Sequence, residues 1–327
     1  MKKNQFSSAI IFLFYSCVYS AKVQLKNHFF TILQACTYGK FLTKKIGYEQ
    51  FRYFCLMDVF KKLFNFYLDS SIHIGLSVYA LTYCTLMLFG LPYDEAVLYF
   101  TFYGTIVTYN FIKYGSSAKQ YFFVTTKYMK IIQYVSFVCF VLTVYYAYQL
   151  QLQTLLVAVG LSLLSSLYII PFLPNRKNFR TLAGFKISIV ALCWTGVTVV
   201  IPLVNANAFV METTVLLTCL QRFILILILM IPFEISDLSY DEEALGTLPQ
   251  RIGIKRTKQI AYVWIVLFLV LEYAIRSTIS TAFYMTVGVS IVLFASIWYS
   301  GIKKSKYFTS FWVESIPIVW FLLLVFV

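Results

Sequence analysis

Nine stretches of about 20 mostly apolar residues follow one another along this chain, each the length an α-helix needs to cross a bilayer. They run near 70–90, 95–113, 131–150, 153–172, 184–204, 213–234, 260–275, 281–299 and 308–327. In lipid every backbone N–H and C=O must find a partner within the segment, and a helix provides that. The expected fold class is therefore all-α, a polytopic membrane protein with about nine transmembrane helices. Composition agrees. Hydrophobic residues make up 60% of the 327 and charged residues only 12%, against about 25% charged in soluble domains. No soluble fold hides that much apolar surface, so the soluble classes are excluded.

The loops order the spans. Of the 27 Lys and Arg residues, 25 fall before the first span or in every second loop after it. The opposite loops hold Asp94, Glu95, Glu212 and a single basic residue, Arg276. Basic residues collect on the cytoplasmic side. This predicts a cytoplasmic N-terminus and an outer C-terminus, in the cytoplasmic (inner) membrane if the source is bacterial. The net charge of +14 thus belongs beside anionic lipid headgroups. No basic helix or RNA-binding motif stands clear of the spans, so nucleic acid is not an expected partner. The seven cysteines are scattered with no Cys-x-x-Cys pair, and there are two histidines, His28 and His73. That pattern supports neither a zinc site nor a disulfide framework.

Residues 1–68 read as a basic cytoplasmic extension, and 69–327 as the transmembrane domain. Within the extension, Leu56, Val59, Phe60, Leu63, Phe64 and Tyr67 recur at helical spacing against Asp58, Lys61, Lys62 and Asn65. This is the pattern of an amphipathic helix lying on a membrane surface. Lys2 and Lys3 before the apolar run Ala9 to Tyr19 also resemble a signal peptide. Cleavage there would leave Lys22 to Lys62 outside, against the charge rule. Met57 is an alternative start.

Acids are scarce, and five of the thirteen, Glu234, Asp237, Asp241, Glu242 and Glu243, fall within ten residues at the end of the sixth span. On a continued helix Glu234, Asp237 and Asp241 share one face. Carboxylates so placed repel one another unless a cation lies among them, and hard oxygen ligands suit Mg²⁺. The other reading is a solvated loop balanced by Arg251, Lys255, Arg256 and Lys258. Arg222 lies in the middle of the sixth span, where a cation faces a polar cavity or a partner; Glu272 and Glu314 are the candidate partners. His73 reads as a hydrogen-bonded packing residue. Gly104, Gly160, Gly184 and Gly196 are expected to let helices approach closely.

The run from Asp237 through Asp241 to Gly246, Thr247, Leu248 and Pro249, closed by Gly253, resembles the second aspartate motif of the UbiA superfamily of intramembrane prenyltransferases. That family carries D-x-x-x-D after its sixth span, then Gly and T-L-P. Its members have nine helices, with both aspartate motifs facing the cytoplasm. Tyr168 and Pro171 with Lys177 resemble a further family stretch. The first family motif, N-D-x-x-D-x-x-x-D after the second span, is matched only at Asn110; Phe111, Tyr114 and Ala118 stand where its acids would be.

The resemblance implies a UbiA-like bundle over roughly residues 65–327 and Mg²⁺-dependent prenyl transfer from a polyprenyl diphosphate to a lipophilic acceptor. It implies Asp237 and Asp241 as metal ligands. Asn110 and Lys113 would be catalytic by orienting the diphosphate, with Tyr168 and Lys177 also binding substrate. The missing acids leave two alternatives open. Lys113 either contacts diphosphate directly, or pairs with Asp237 or Asp241 in place of the metal. The second would make the chain a non-catalytic lipid-binding or assembly protein on the same scaffold. A transporter is disfavoured, because no inverted repeat or pair of broken helices is evident.

Overall fold

The computed structural model describes residues 48–114, 126–169, 186–210, 212–238, 246–276, 278 and 280–326. They form ten helices: α1 Tyr48–Asp69, α2 Ile72–Leu88, α3 Glu95–Tyr114, α4 Lys127–Ala147, α5 Leu152–Ile169, α6 Lys186–Asn205, α7 Thr213–Asp237, α8 Leu248–Arg276, α9 Thr281–Tyr299 and α10 Phe308–Val325. No strand occurs among the described residues. Residues Met1–Phe64 and Asn65–Val327 are separate compact units. Within the first, the amphipathic segment is helical as expected, with Met57, Phe60 and Leu63 exposed. The signal-like run lies outside the described residues.

Helices α2 to α10 coincide with the nine apolar segments, except that α8 begins at Leu248, well before the seventh. Six helices are long and apolar enough to cross a membrane, and a seventh span results if Met57–Asp69 and Ile72–Leu88 are counted as one. Length and composition therefore do not yield nine spans. The apolar stretch Leu152–Leu167 in α5 is short, and α3 is diluted by Glu95, Asn110, Lys113 and its Thr and Tyr residues. The chain is a multi-pass integral membrane protein.

In the second unit, α7 is the central element. Its run Ile224, Leu225, Ile226, Leu227, Ile228, Leu229 and Ile231 is buried on every side, as befits a helix that is apolar all round. It packs against α6 and α8; α8 meets α9, α9 meets α10, and α10 returns to α2. On the other side α2 packs on α3, and α3 on α4. Buried hydroxyls on these helices donate back along their own helix, as Thr82 to the Val78 carbonyl (2.9 Å) and Ser136 to that of Ile132 (2.9 Å). This satisfies them without a partner helix.

Two of the small residues have steric consequences. A Cβ at Gly196 would lie 2.5 Å from Leu161 Cδ2, and one at Gly75 2.9 Å from Ile106 Cγ1. The expectation for Gly160 is not met, since nothing stands within 4 Å of its Cβ position. Gly104 makes only ordinary contact with Thr143, and Gly184 lies outside the described residues.

Candidate functional site

The chain breaks between α1 and α2 at Ser70 and Ser71, the latter in left-handed conformation at φ 60°. A non-glycine residue there is strained, and the break loosens carbonyls from the helical ladder. Asn110, fully buried near the end of α3, repairs it: its Nδ2 donates to Ser70 O (3.1 Å) and to Ser136 Oγ on α4 (2.8 Å). Asn110 Oδ1 is buried with no hydrogen-bond partner. The asparagine thus braces three helices.

One turn on, three side chains converge on Asp69, the last residue of α1. Lys113 Nζ stands 3.6 Å from its Oδ1 and donates to its carbonyl (3.3 Å). Tyr128 OH donates to Asp69 Oδ2 (2.7 Å), and Tyr114 OH to Asp69 O (2.9 Å). The carboxylate beside Lys113 is therefore that of Asp69. Sequence reasoning missed it, because Asp69 lies 44 positions upstream. Its only signal was an acid at the membrane edge of a strongly basic segment.

Asp237 ends α7 and is half-buried. Glu234, one turn earlier, points elsewhere: it is 2% exposed, and its Oε2 accepts the Leu248 N–H (3.3 Å). The expected shared face of three acids therefore loses Glu234, which caps the start of α8. There Thr247 N–H donates to Gln250 Oε1 (2.8 Å), half of a capping box. Pro249 occupies the first turn, where its missing N–H costs nothing. Gly253 then kinks α8 at φ 79° and ψ 158°, a conformation essentially reserved for glycine. The Thr-Leu-Pro run is thus a docked helix start. Tyr168 lies in the last turn of α5; its side chain, with Lys177 and Asp241, lies outside the described residues.

Among the described residues no group of three or more His, Cys, Asp or Glu side chains is placed to hold a metal ion. The donor chemistry at the end of α7 nevertheless fits Mg²⁺, which is held by one or two carboxylates together with substrate phosphates.

Between the two ends lies a cavity of about 450 Å³. Tyr109 and Ile112 of α3, Trp194 of α6, Met230 and Phe233 of α7 and Glu314 of α10 are among its lining residues. Its wall thus runs to the residue before Lys113 on one side and to one turn before Asp237 on the other. The lining is overwhelmingly apolar.

The remaining singled-out residues are structural. Arg222, 2% exposed, donates to Leu81 O (3.2 Å) and Thr85 Oγ1 (3.4 Å) and lies over the Trp320 ring at 5.4 Å. Neither candidate acid forms an ion pair with it. Glu272 accepts from Gln221 (2.7 Å) and pairs with Arg276. His73 is hydrogen-bonded on both ring nitrogens. Nε2 bonds the Phe311 carbonyl (3.0 Å), so it carries the proton, and Nδ1 accepts from Tyr67 OH (2.7 Å).

The bundle shares the fold of a solved UbiA homolog. A UbiA homolog from Archaeoglobus fulgidus, solved bound to GPP and Mg²⁺, superposes with a TM-score of 0.52 at 14% identity, over 79% of this chain and 97% of that one. A structure of digeranylgeranylglyceryl phosphate synthase aligns at a TM-score of 0.48 and 16% identity, over 81% and 97%. No family model matches the sequence, and no curated protein matches it significantly.

Proposed function

We propose that the chain transfers a prenyl group from a polyprenyl diphosphate to a lipophilic acceptor within the membrane, with Mg²⁺. The observation that carries this reading is the cavity. It is an apolar hole bounded by α3 and α7, the helices whose last turns carry Lys113 and Asp237. Such a space suits a hydrocarbon chain, with the charged head at the helix ends. The solved homolog's GPP and Mg²⁺ add support at the level of the fold.

Asp237 and Asp241 would hold the ion, whose part is to neutralise the diphosphate charge. The allylic C–O bond breaks with its electron pair leaving on diphosphate, the acceptor's nucleophilic atom bonds to the allylic carbon, and the proton that the acceptor sheds passes to the released diphosphate. Catalysis of this kind is chiefly electrostatic. Lys113 supplies a cation for the departing oxygens, aided by Tyr168 and Lys177. Asn110 acts by fixing the α1–α2 break, so that Asp69 and Lys113 keep their relative position. The basic loops face the cytoplasm, and the diphosphate arrives from that side.

A second reading has one observation in its favour. Lys113 is already paired with Asp69, and no acid of the first motif remains. That arrangement suits a lipid-binding scaffold without chemistry. Binding of farnesyl thiodiphosphate, a non-hydrolysable analogue, to the purified chain separates the two. The enzyme reading expects binding that needs Mg²⁺ and is lost in Asp237→Asn. Binding indifferent to both favours the scaffold.

A further inference from the structure

Most polar groups lining the cavity already have partners. The hydroxyls of Thr101, Thr105, Thr143 and Ser162 donate to carbonyls of their own helices. The indole N–H of Trp194 donates to Tyr109 OH (2.6 Å). Glu314 differs. Glu314 lines the same cavity, yet no side chain or backbone group among the described residues hydrogen-bonds or ion-pairs its carboxyl. Lys113 and Tyr67 act on it only through longer-range electrostatics. An unpartnered carboxyl in an apolar wall is costly, and an ionisable side chain inside a membrane helix points to function.

The backbone that presents Glu314 is specially held. A π-helical turn, Phe308–Val313, ends immediately before it; such turns recur at functional sites. The Phe311 carbonyl receives His73 Nε2–H (3.0 Å) and Ser315 Oγ–H (2.6 Å), and the Glu314 carbonyl receives the hydroxyl of Ser77. Donors from α2 and α10 thus fix the position of one unsatisfied side chain.

We propose that Glu314 is the polar anchor of the cavity and binds the hydroxyl of a lipid-soluble alcohol or phenol whose apolar body fills the remaining space. A hydroxyl both donates and accepts, so it matches the carboxyl in either protonation state. The hydroxyl of Thr108, on the same lining, offers a second contact. Under the prenyl-transfer reading this ligand is the acceptor, and that identification rests on the reading; the anchoring does not.

The test uses the full chain in lipid nanodiscs and two probes with one apolar body: 4-octylphenol, and its methyl ether 4-octylanisole, which has no donor. Dicyclohexylcarbodiimide partitions into the apolar phase, where a carboxyl adds across its N=C=N group to give an O-acylisourea that rearranges to a stable N-acylurea, and mass spectrometry locates the adduct. The expected adduct is on Glu314, with labelling slowed about tenfold by the phenol at a concentration where the ether has little effect. Glu314→Leu should weaken phenol binding about tenfold and leave ether binding unchanged. Equal protection by both probes, or phenol affinity indifferent to Glu314→Leu, overturns the proposal. So does labelling of Glu234 or Glu272 while Glu314 stays unmodified. Neither metal nor diphosphate enters this experiment. Failure of the prenyl-transfer reading shows separately, as loss of metal-dependent analogue binding.

Discussion

Asn110 and Asp69 are the residues on which the polar end of the site turns, and they make different predictions. Asn110→Ala removes two hydrogen bonds and strands the buried Ser70 carbonyl. A cost of about 1–3 kcal/mol is expected for a buried group left unpaired, read as a lower thermal midpoint in detergent. Asn110→Asp should be no rescue, because a carboxylate accepts where the carbonyl needs a donor. Asp69→Asn withdraws the charge that holds Lys113. Under the enzyme reading it should tighten analogue binding several-fold, since both Lys113 and the diphosphate gain. A pair this exposed contributes little to folding, so stability should barely change. Unchanged or weaker binding in Asp69→Asn would place Lys113 outside the diphosphate site. Of these two residues the sequence disclosed only Asn110, as the surviving member of a motif. The role of Asp69 was not legible, because its meeting with Lys113 and Tyr128 is made by packing of α1, α3 and α4, not by any local pattern.

At the scale of elements, apolar runs carried most of the information. They set the positions of α2 to α10, except that α8 begins at Leu248, well before the seventh apolar segment at 260–275, with the T-L-P run at its start. The kink at Gly253 and the π-turns in α6 and α10 left no such mark, because they depend on which neighbour meets the helix. Gly196, in the π-turn of α6, faces Leu161 of α5, which also lines the cavity. A methyl there meets the tip of a flexible side chain rather than backbone. Gly196→Ala should therefore rotate Leu161 instead of separating the helices. The expectation is a modest loss of stability, at the lower end of the roughly 1–3 kcal/mol of overpacking, with weaker binding of 4-octylphenol. Unaltered ligand affinity alongside a large stability loss would mean that α5 moves as a body.

For the whole molecule, membrane character followed from composition alone, and the bundle followed from the segments together with the acidic run after α7. The number of spans did not. Among the described residues α3 is diluted by polar side chains, and the apolar stretch of α5 covers Leu152–Leu167, so length and composition give six or seven spans. Of the expected ligand set, Asp241, Lys177 and the side chain of Tyr168 lie outside the described residues, so the account of the diphosphate end rests on Asp69, Lys113 and Asp237. Glu314 shows the same division between pattern and packing. Sequence reasoning offered it as a counter-ion for Arg222, but Arg222 is met by carbonyl, hydroxyl and ring, which leaves the carboxyl to the cavity.

Prenyl transfer itself is the central claim, and it can be tested without knowing the acceptor. Membranes containing the chain are incubated with radiolabelled geranylgeranyl diphosphate and Mg²⁺, and the lipid extract is separated. The account predicts a labelled lipid absent from membranes lacking the chain, formed with release of diphosphate and abolished by Asp237→Asn. Intact labelled diphosphate alone, in membranes where the chain is folded and abundant, would contradict it and leave a scaffold that binds lipid without transforming it.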